Sequence, residues 1–404
     1  MSKLEAKELV PELRFPEFQG SAIWKRVNLY EQLLDVFDFR GRTPKKLGMD
    51  WGAGNIISLS ANNVKNGYID FSAECNLASE ELYQKWMGGV DLRKNDIVFT
   101  MEAPLGKALL IPDNQKYILS QRVIAFKTKR TIRNDFLIQL IWSDYFQSQI
   151  NTLSTGSTAK GINQKTLKTI NINIPSSINE QGKVADCLSS MDDLITANTK
   201  KLESLKSHKK GLMQKLFPAE RKSVPELRFS GFDGDWEVKS FSKLFEIGGG
   251  RDHQHLSNGG IPVYGSGGYM RSVNEYLYDG KSACIGRKGT INKPIFLTGK
   301  FWTVDTLFYT HSFIECSPEF IYLLFQNIDW LKLNEAGGVP SLSKVIIKKI
   351  EKPIPKDDEQ KAIVNIIFSV DKLIEMQEVK IDTLTKYKKG LMQRLFPSVE
   401  GVTA

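Results

Sequence analysis

Apolar residues recur at helical spacing in two stretches, Val184, Leu188, Met191, Ile195, Leu202, Leu205 and Leu212 in one and Ile363, Ile367, Val370, Ile374, Ile381, Leu384 and Leu391 in the other. Steps of three and four predict a long amphipathic helix in each. One amide interrupts each stripe, Asn198 in the first and Gln377 in the second. A helix of about 37 residues spans roughly 55 Å, which suits rods that pair along their stripes. A polar residue in such a seam lowers stability and fixes register, so Asn198 and Gln377 are candidate register residues; alternatively each lies at the seam edge and faces water. Gly211 and Gly390 predict a bend or a helix end, then a short LMQ[KR]LF turn stopped by Pro218 and Pro397.

The two stripes are copies of each other. KKGLMQKLFP at 209–218 returns as KKGLMQRLFP at 388–397, and the match runs leftward without a gap to Glu180–Gln181 and Glu359–Gln360. A second doubled motif leads each half: VPELRFPEFQG at 10–20 and VPELRFSGFDG at 224–234, followed by Trp24 and Trp236. The lead motifs lie 214 residues apart and the rear ones 179, so the first intervening segment is 35 residues longer. The chain is a tandem duplication whose ends match and whose middles, roughly 22–179 and 236–357, do not. Uniform drift would not spare KKGLMQ[KR]LFP while erasing the middles, so we read a symmetric frame carrying two different readers.

Within 22–160, apolar runs such as DIVFT and RVIAF alternate with turn signals, and FLIQLIWSDYFQSQI at 136–150 predicts a buried helix. Arg40, Arg42, Lys45 and Lys46 in and beside GRTPKK form a rigid cationic loop, suited to phosphate or base-edge contact or else an ordinary solvated turn. A strand ending VFTMEAPLGK brings Lys107, with Gln121 and Arg122 following. In the second segment IPVYGSGGY and CIGRKGT offer glycines for close backbone approach, with Tyr264, Ser266, Arg287 and Lys288 to stack, bond and carry charge; Arg251 and His253 lie just upstream. His253 and His255 could flank a metal, but no third ligand of clear spacing accompanies them, so no metal is expected. FEIGGG at 245–250 has the outline of a cofactor-binding glycine loop without the motif that should follow it.

Length and charge narrow this further. The 404 residues predict two to four domains, and 41% hydrophobic with 10% aromatic residues suffices for real cores. The 55 basic against 46 acidic side chains leave +9, which favours an anionic partner. Residues 199–216 hold six lysines and one glutamate, and 377–396 hold five basic and two acidic groups, so net charge does not by itself locate a DNA-reading surface. Those lysines either meet a partner or phosphate or are simply solvated.

Four scattered cysteines without a CxxC pair exclude a disulfide framework and point to a reducing cytoplasm. No secretory leader and no long apolar run is present, so neither export nor membrane insertion is expected. Motor and methyltransferase signatures are missing: Gly280-Lys281-Ser282 has Glu275 where a phosphate-binding loop needs glycine, and no [DN]PP[YF] occurs. No catalytic constellation emerges.

The doubled PELRF lead, the doubled KKGLMQ[KR]LFP tail, and GRTPKK, GINQKTLKTINI at 161–172, IPVYGSGG, IGRKGT and FWTVDTLF at 301–308 resemble, over the whole chain, the specificity (S) subunits of Type I restriction–modification systems. The resemblance implies an α+β fold: two mixed α/β target recognition domains separated by two long antiparallel paired helices, a coiled coil, in a pseudo-two-fold tandem repeat. The expected boundaries are 1–179 for the first domain, 180–223 for the first helix, 224–357 for the second domain and 358–404 for the second helix. It further implies a non-catalytic chain without cofactor that reads a bipartite site on double-stranded DNA. Two methyltransferase (modification) subunits and the restriction (motor/nuclease) subunits would be its partners. The paired helices would act as a ruler, one turn of B-DNA being about 34 Å. Leu212, Met213, Leu216, Phe217, Leu391, Met392, Leu395 and Phe396 are the candidate docking residues, with packing inside the frame as the alternative. A self-sufficient nuclease and a stand-alone tandem DNA-binding regulator are the competing readings.

Overall fold

A computed structural model describes residues 9–52, 54–156 and 159–397. The chain divides into two compact units, Met1–Asn198 with Lys380–Ala404 and Thr199–Val379. The division cuts through both long helices instead of falling at their ends.

In chain order the first unit holds β1 (Lys25–Asn28), β2 (Leu33–Phe37), β3 (Ile56–Leu59), β4 (Leu77–Ala78), α1 (Glu80–Met87), β5 (Ile97–Thr100), β6 (Ala108–Leu110), β7 (Tyr117–Leu119), β8 (Val123–Thr128), α2 (Asn134–Trp142), α3 (Asp144–Thr152), α4 (Gln164–Leu167), β9 (Asn171–Ile174) and the first part of α5 (Ile178–Lys215). Strands β2-β8-β5-β6 form one antiparallel sheet; β4-β3-β7 form another in which β3 and β7 run parallel; β1 pairs with β9. The run IVFT of β5 is buried on both faces, which is why it reads as continuous rather than alternating. The single helix predicted over 136–150 is two. Ser143 turns extended and its hydroxyl accepts from the Phe146 N–H, capping α3 as α2 ends.

The second unit holds the rest of α5, then β10 (Glu237–Ser240), β11 (Glu246–Gly249), β12 (Asn258–Gly265), β13 (Gly268–Val273), β14 (Tyr278–Asp279), β15 (Ser282–Gly286), β16 (Ile295–Leu297), β17 (Lys300–Thr303), β18 (Leu307–His311), α6 (Pro318–Gln326), α7 (Lys344–Lys348), β19 (Glu351–Ile354) and the start of α8 (Asp357–Leu395), whose residues from Lys380 onward belong to the first unit. Its sheets repeat those of the first with one strand added: β11-β18-β15-β16, then β13-β12-β17-β14 with β12 and β17 parallel and β14 extra, then the pair β10-β19. The middles that differ in sequence share a strand order, apart from β14 in the second and α1 in the first. FEIGGG is here strand β11 and its exit, not a cofactor loop: a Cβ on Gly248 would sit 2.0 Å from the Tyr309 ring and one on Gly250 1.9 Å from the Val304 carbonyl.

The repeated residues make repeated contacts. Glu180 accepts from Arg14 Nε (2.7 Å) and Nη2 (2.8 Å), and Glu359 accepts from Arg228 Nε and Nη2 at 2.8 Å each. Gln181 Nε2 donates to the carbonyls of Thr131 and Pro175 while its Oε1 accepts from the Arg133 N–H; Gln360 does the same with Glu315, Pro355 and Ser317. The Leu13 N–H donates to the Arg394 carbonyl at 2.9 Å, and the Leu227 N–H to the Lys215 carbonyl at 2.8 Å. Each lead motif is therefore tied to a helix tail, the first to that of α8 and the second to that of α5.

Both helices run through the glycines. Nothing lies within 4 Å of a Cβ built on Gly211 or Gly390, and α5 and α8 continue to Lys215 and Leu395, so neither helix ends at its glycine. The propensity cost of about 1 kcal/mol is outweighed by the tertiary burial of the turns on either side. In the first unit Lys388 Nζ reaches Asp192 at 2.6 Å; in the second Lys209 reaches Asp371 at 2.7 Å and Lys206 reaches Glu378 at 2.6 Å. Rising numbers on α5 meet falling numbers on α8, the antiparallel pairing expected. Asn198 and Gln377 are 7% and 6% exposed, so neither faces water from a seam edge.

The tail residues named as docking candidates pack largely within the frame, the alternative given for them. Met392, Leu395 and Phe396 are buried in the first unit's core with Leu391 packed against it; Met213, Leu216 and Phe217 are buried in the second's with Leu212 beside them. Phe396, Trp24 and Phe136 form a triangle of ring contacts at 5.7–6.3 Å, and Phe217, Trp236 and Phe320 form its counterpart at 5.5–6.4 Å. These side chains pack against each core, and Met213 and Phe217 also line an open cavity of about 840 Å³ with Val238, Leu324 and Ile350.

Candidate nucleic-acid interface

At one end of each unit three chain segments are clamped together by backbone hydrogen bonds. In the first, Met101, just past β5, donates to the Arg122 carbonyl at 2.7 Å and accepts from the Ile162 N–H at 2.9 Å. In the second, Arg287, just past β15, donates to the Thr306 carbonyl at 2.8 Å and accepts from the Leu342 N–H at 2.9 Å. One residue on, Glu102 bridges Gly161 and Lys288 bridges Ser341. The third segments close in the same way, Thr155 and Gly161 exchanging bonds at 3.0 Å and Glu335 donating to the Ser341 carbonyl at 3.1 Å. Backbone groups alone make this clamp, so it tolerates any side chain that leaves the turns intact.

The candidate residues of the first unit separate into two groups. Arg40 is held by Asp38, Nε to Oδ1 at 2.8 Å, and Asp38 also accepts from Gln164. Burial pushes the Asp38 carboxyl up, but the Arg40 guanidinium and N–H outweigh it and hold the group below its ordinary value. Arg42 donates to the Trp86 carbonyl and lies 4.6 Å above the Phe39 ring, and Lys46 Nζ donates to the Gly41 carbonyl at 2.8 Å. GRTPKK is thus a self-braced turn; among the described residues Lys45 alone of its cations is exposed with its side chain in no hydrogen bond or ion pair. Gln121 and Arg122 instead sit exposed on the β7–β8 turn at the clamp, Arg122 at φ 69° with its guanidinium 4.0 Å from Glu102. Lys107 is half-buried on the β5–β6 turn, its N–H donating to Thr100 Oγ1 at 2.8 Å.

In the second unit the clamp carries an open cavity of about 640 Å³ lined by Arg287, Lys288, Lys344, Glu335, Ser341 and Ser343 among others. Among the described residues Arg287 Nη1 reaches only the Asp305 carbonyl, at 3.4 Å. A neighbouring cleft of about 720 Å³ gathers His253, Ser266, Tyr269, Asp252, Asp305 and Thr306. Among the described residues His253 Nδ1 is buried without a hydrogen-bond partner. Arg251 is exposed, its N–H bonded to the Thr303 carbonyl at 2.9 Å. Tyr264 does not stand in the cleft as a stacking surface: it packs inward against Cys284, Leu297, Phe301 and Leu307, and the exposed ring is that of Tyr269, 6.1 Å away.

The structure therefore gathers Gln121 and Arg122 at the first clamp, Arg287 and Lys288 at the second, and Ser266 and His253 in the cleft beside it, while Arg40, Arg42 and Lys46 brace their own turn. Sequence reasoning missed Glu102, Asp305, Thr306, Tyr269 and Lys344: the first four lie inside motifs singled out above without being named, and Lys344 lies outside them. The signal was available: Glu102 follows its strand at the same interval as Lys288 follows β15. Among the described residues no group of three or more potential metal ligands occurs, and no helix is long and apolar enough to cross a membrane.

Comparison with known proteins agrees with the duplicated architecture. The family model for the type I restriction modification DNA specificity domain matches twice, over residues 29–207 and 233–386. The chain is 24% identical over 343 residues to the type I restriction enzyme MjaVIII specificity subunit of Methanocaldococcus jannaschii, covering 75% of this chain and 79% of that one. The crystal structure of a type I restriction-modification S subunit from M. genitalium superposes with a TM-score of 0.63 at 18% identity, covering 96% of this chain and 100% of the other. A structure solved for complex assembly and conformational transition of the type I R-M system superposes with a TM-score of 0.58 at 14% identity, covering 92% and 97%. With two matched domains, two clamps and one doubled frame, this chain belongs to the specificity subunits of type I restriction–modification systems.

Proposed function

We propose that each unit reads one half of a bipartite site on double-stranded DNA through its clamped end, and that the chain presents the assembled methyltransferase and restriction subunits to that site for adenine methylation or cleavage. The carrying observation is the clamp itself: the same backbone hydrogen bonds recur at Met101 and Arg287, while the side chains mounted on them differ. A scaffold that fixes position and frees identity is what two readers of different sequences require.

The doubled frame supports two copies of one partner. Arg14–Glu180 and Arg228–Glu359, with the tail bonds at Arg394 and Lys215, build two like surfaces, and like surfaces bind like proteins. Two methyltransferase subunits fit that duplication. Docking falls to the outer faces of the frame. The chemistry is the partners', in the cytoplasm where the DNA lies, and this chain contributes recognition without a cofactor of its own.

The test is a methylome. With its partner subunits the chain should direct methyladenine to a split motif, and replacing residues 22–179 by the corresponding segment of another S subunit should change one half of that motif only. Change in both halves, or in neither, overturns the reading, as would cleavage or methylation by the purified chain alone with magnesium.

A further inference from the structure

The two clamps place a carboxylate and an ammonium at one and the same structural position. Glu102 and Lys288 each follow the residue whose N–H and carbonyl are both engaged (Met101 at 2.7 and 2.9 Å, Arg287 at 2.8 and 2.9 Å), and each bridges the third segment, at Gly161 and Ser341. The neighbouring positions change character as well: Arg122 stands where the second unit has Thr306, and Gln121 where it has Asp305, as the strand pairings Thr100–Val123 and Gly286–Leu307 align them.

This reversal separates two kinds of DNA contact. A lysine can serve a phosphate or a base edge, but a carboxylate is repelled by phosphate and only accepts hydrogen bonds, so at a DNA-facing position its attractive partner is an exocyclic amino group. The second clamp has the complementary chemistry. Lys288 lines the open cavity with Arg287 and Lys344, and no described carboxylate lies within ion-pair distance of these three, although Glu335 shares the lining. Lysine donates to the O6 and N7 acceptors of guanine. Backbone bonds on both sides of the preceding residue hold each side chain's root, the mounting a specificity contact needs.

Resting on the half-site reading above, we propose that Glu102 and Lys288 are matched specificity-determining residues: Glu102 accepts from the amino group of a cytosine or adenine in one half-site, and Lys288 donates to a guanine in the other.

The experiment uses the full chain assembled with its methyltransferase subunits, acting on a DNA library randomised through both half-sites and read by sequencing methyladenine. Glu102→Gln and Glu102→Lys should each change the preference at one base pair of a single half-site by about five- to a hundred-fold, the range of one good base contact. Lys288→Ala should relax one base pair of the other half-site by a similar factor. Both residues are solvent-accessible, and unchanged melting of the variants confirms that folding is not the cause. A uniform loss across all sequences in the Lys288 variant, or an unaltered motif in the Glu102 variants, overturns the assignment while leaving the split-site reading standing. A wild-type assembly that shows no split motif overturns the split-site reading itself.

Discussion

The frames and the clamps of the two units preserve different things. At the frame, Arg14–Glu180 and Arg228–Glu359 keep the same side chains in the same bonds; at the clamps, Glu102 and Lys288 keep the same backbone bonds under opposite charges. Where a buried side chain carries the contact, identity is constrained, because its loss leaves a partner buried and unpaired. Where the backbone carries the contact, identity is released. One chain can thus hold a fixed architecture and two unlike reading surfaces.

The largest effect should come from breaking the frame. Glu180 satisfies Arg14 and also accepts from Trp24 Nε1 at 3.0 Å, whereas the Nε1 of Trp236 is buried without a hydrogen-bond partner among the described residues. Glu180→Ala should lower stability by about 3–5 kcal/mol in urea denaturation, since removing one partner strands a buried charge. Glu359→Ala should cost less, Arg228 being the more exposed arginine at 16% against 6%. An equal or larger loss at Glu359 would break the claim that the second frame is the looser copy.

At the clamps the effects should be smaller and directional. Arg287→Ala is expected to weaken binding by about 1–3 kcal/mol at one base position if it reads a base. Lys45→Ala should instead weaken binding evenly across sequences and reduce the salt slope by about 1, as a phosphate contact does. Arg42→Ala sharpens the contrast: with the guanidinium held by the Trp86 carbonyl and the Phe39 ring, the cost should appear as stability, about 1–3 kcal/mol for a charged hydrogen bond, with the base preferences of the half-site unchanged. Denaturation and competition binding against single-base variants separate these outcomes.

The doubled motifs made the frame legible, because the same residues recur wherever side chains make the contact. Glu180, Gln181 and their copies at Glu359 and Gln360 could be aligned by eye, and so could the helices. The shared strand order of the middles was hidden for the opposite reason. Strand pairing β5–β8 and β15–β18 rests on backbone bonds that leave no mark on composition, and IVFT and SACIG share only burial. The eight apolar residues of the tails were visible but their destination was not: periodicity shows that Phe217 and Phe396 face something apolar, and only the fold shows that each faces a core. Cations beside a glycine, such as Lys107 and Arg287, stand out in a sequence, whereas Glu102 and Asp305 carry no such mark.

The smallest predicted difference lies one strand pairing away from the clamps. Lys127 pairs across the sheet with Asp35, and at the matching place His311 pairs with Glu246. Burial pushes the His311 imidazole below its ordinary value; Glu246 opposes that shift, while Lys344 and Lys348 add to it, and Ser312 Oγ lies 3.0 Å from Nδ1. The folded state therefore binds this proton less readily than the unfolded chain, so the contribution to stability is present above the unfolded value near pH 6.5 and is lost as pH falls through it towards the folded value. Melting followed between pH 7.5 and pH 5.5 should show the wild-type protein losing stability relative to His311→Gln, with the two curves parallel at the alkaline end. Lys127→Gln tests the corresponding position without an imidazole and should leave that acid-side loss in place. If instead Lys127→Gln abolished the loss or His311→Gln preserved it, the pH response would not arise from this pairing, and the sheets would differ less than their cross-strand partners indicate.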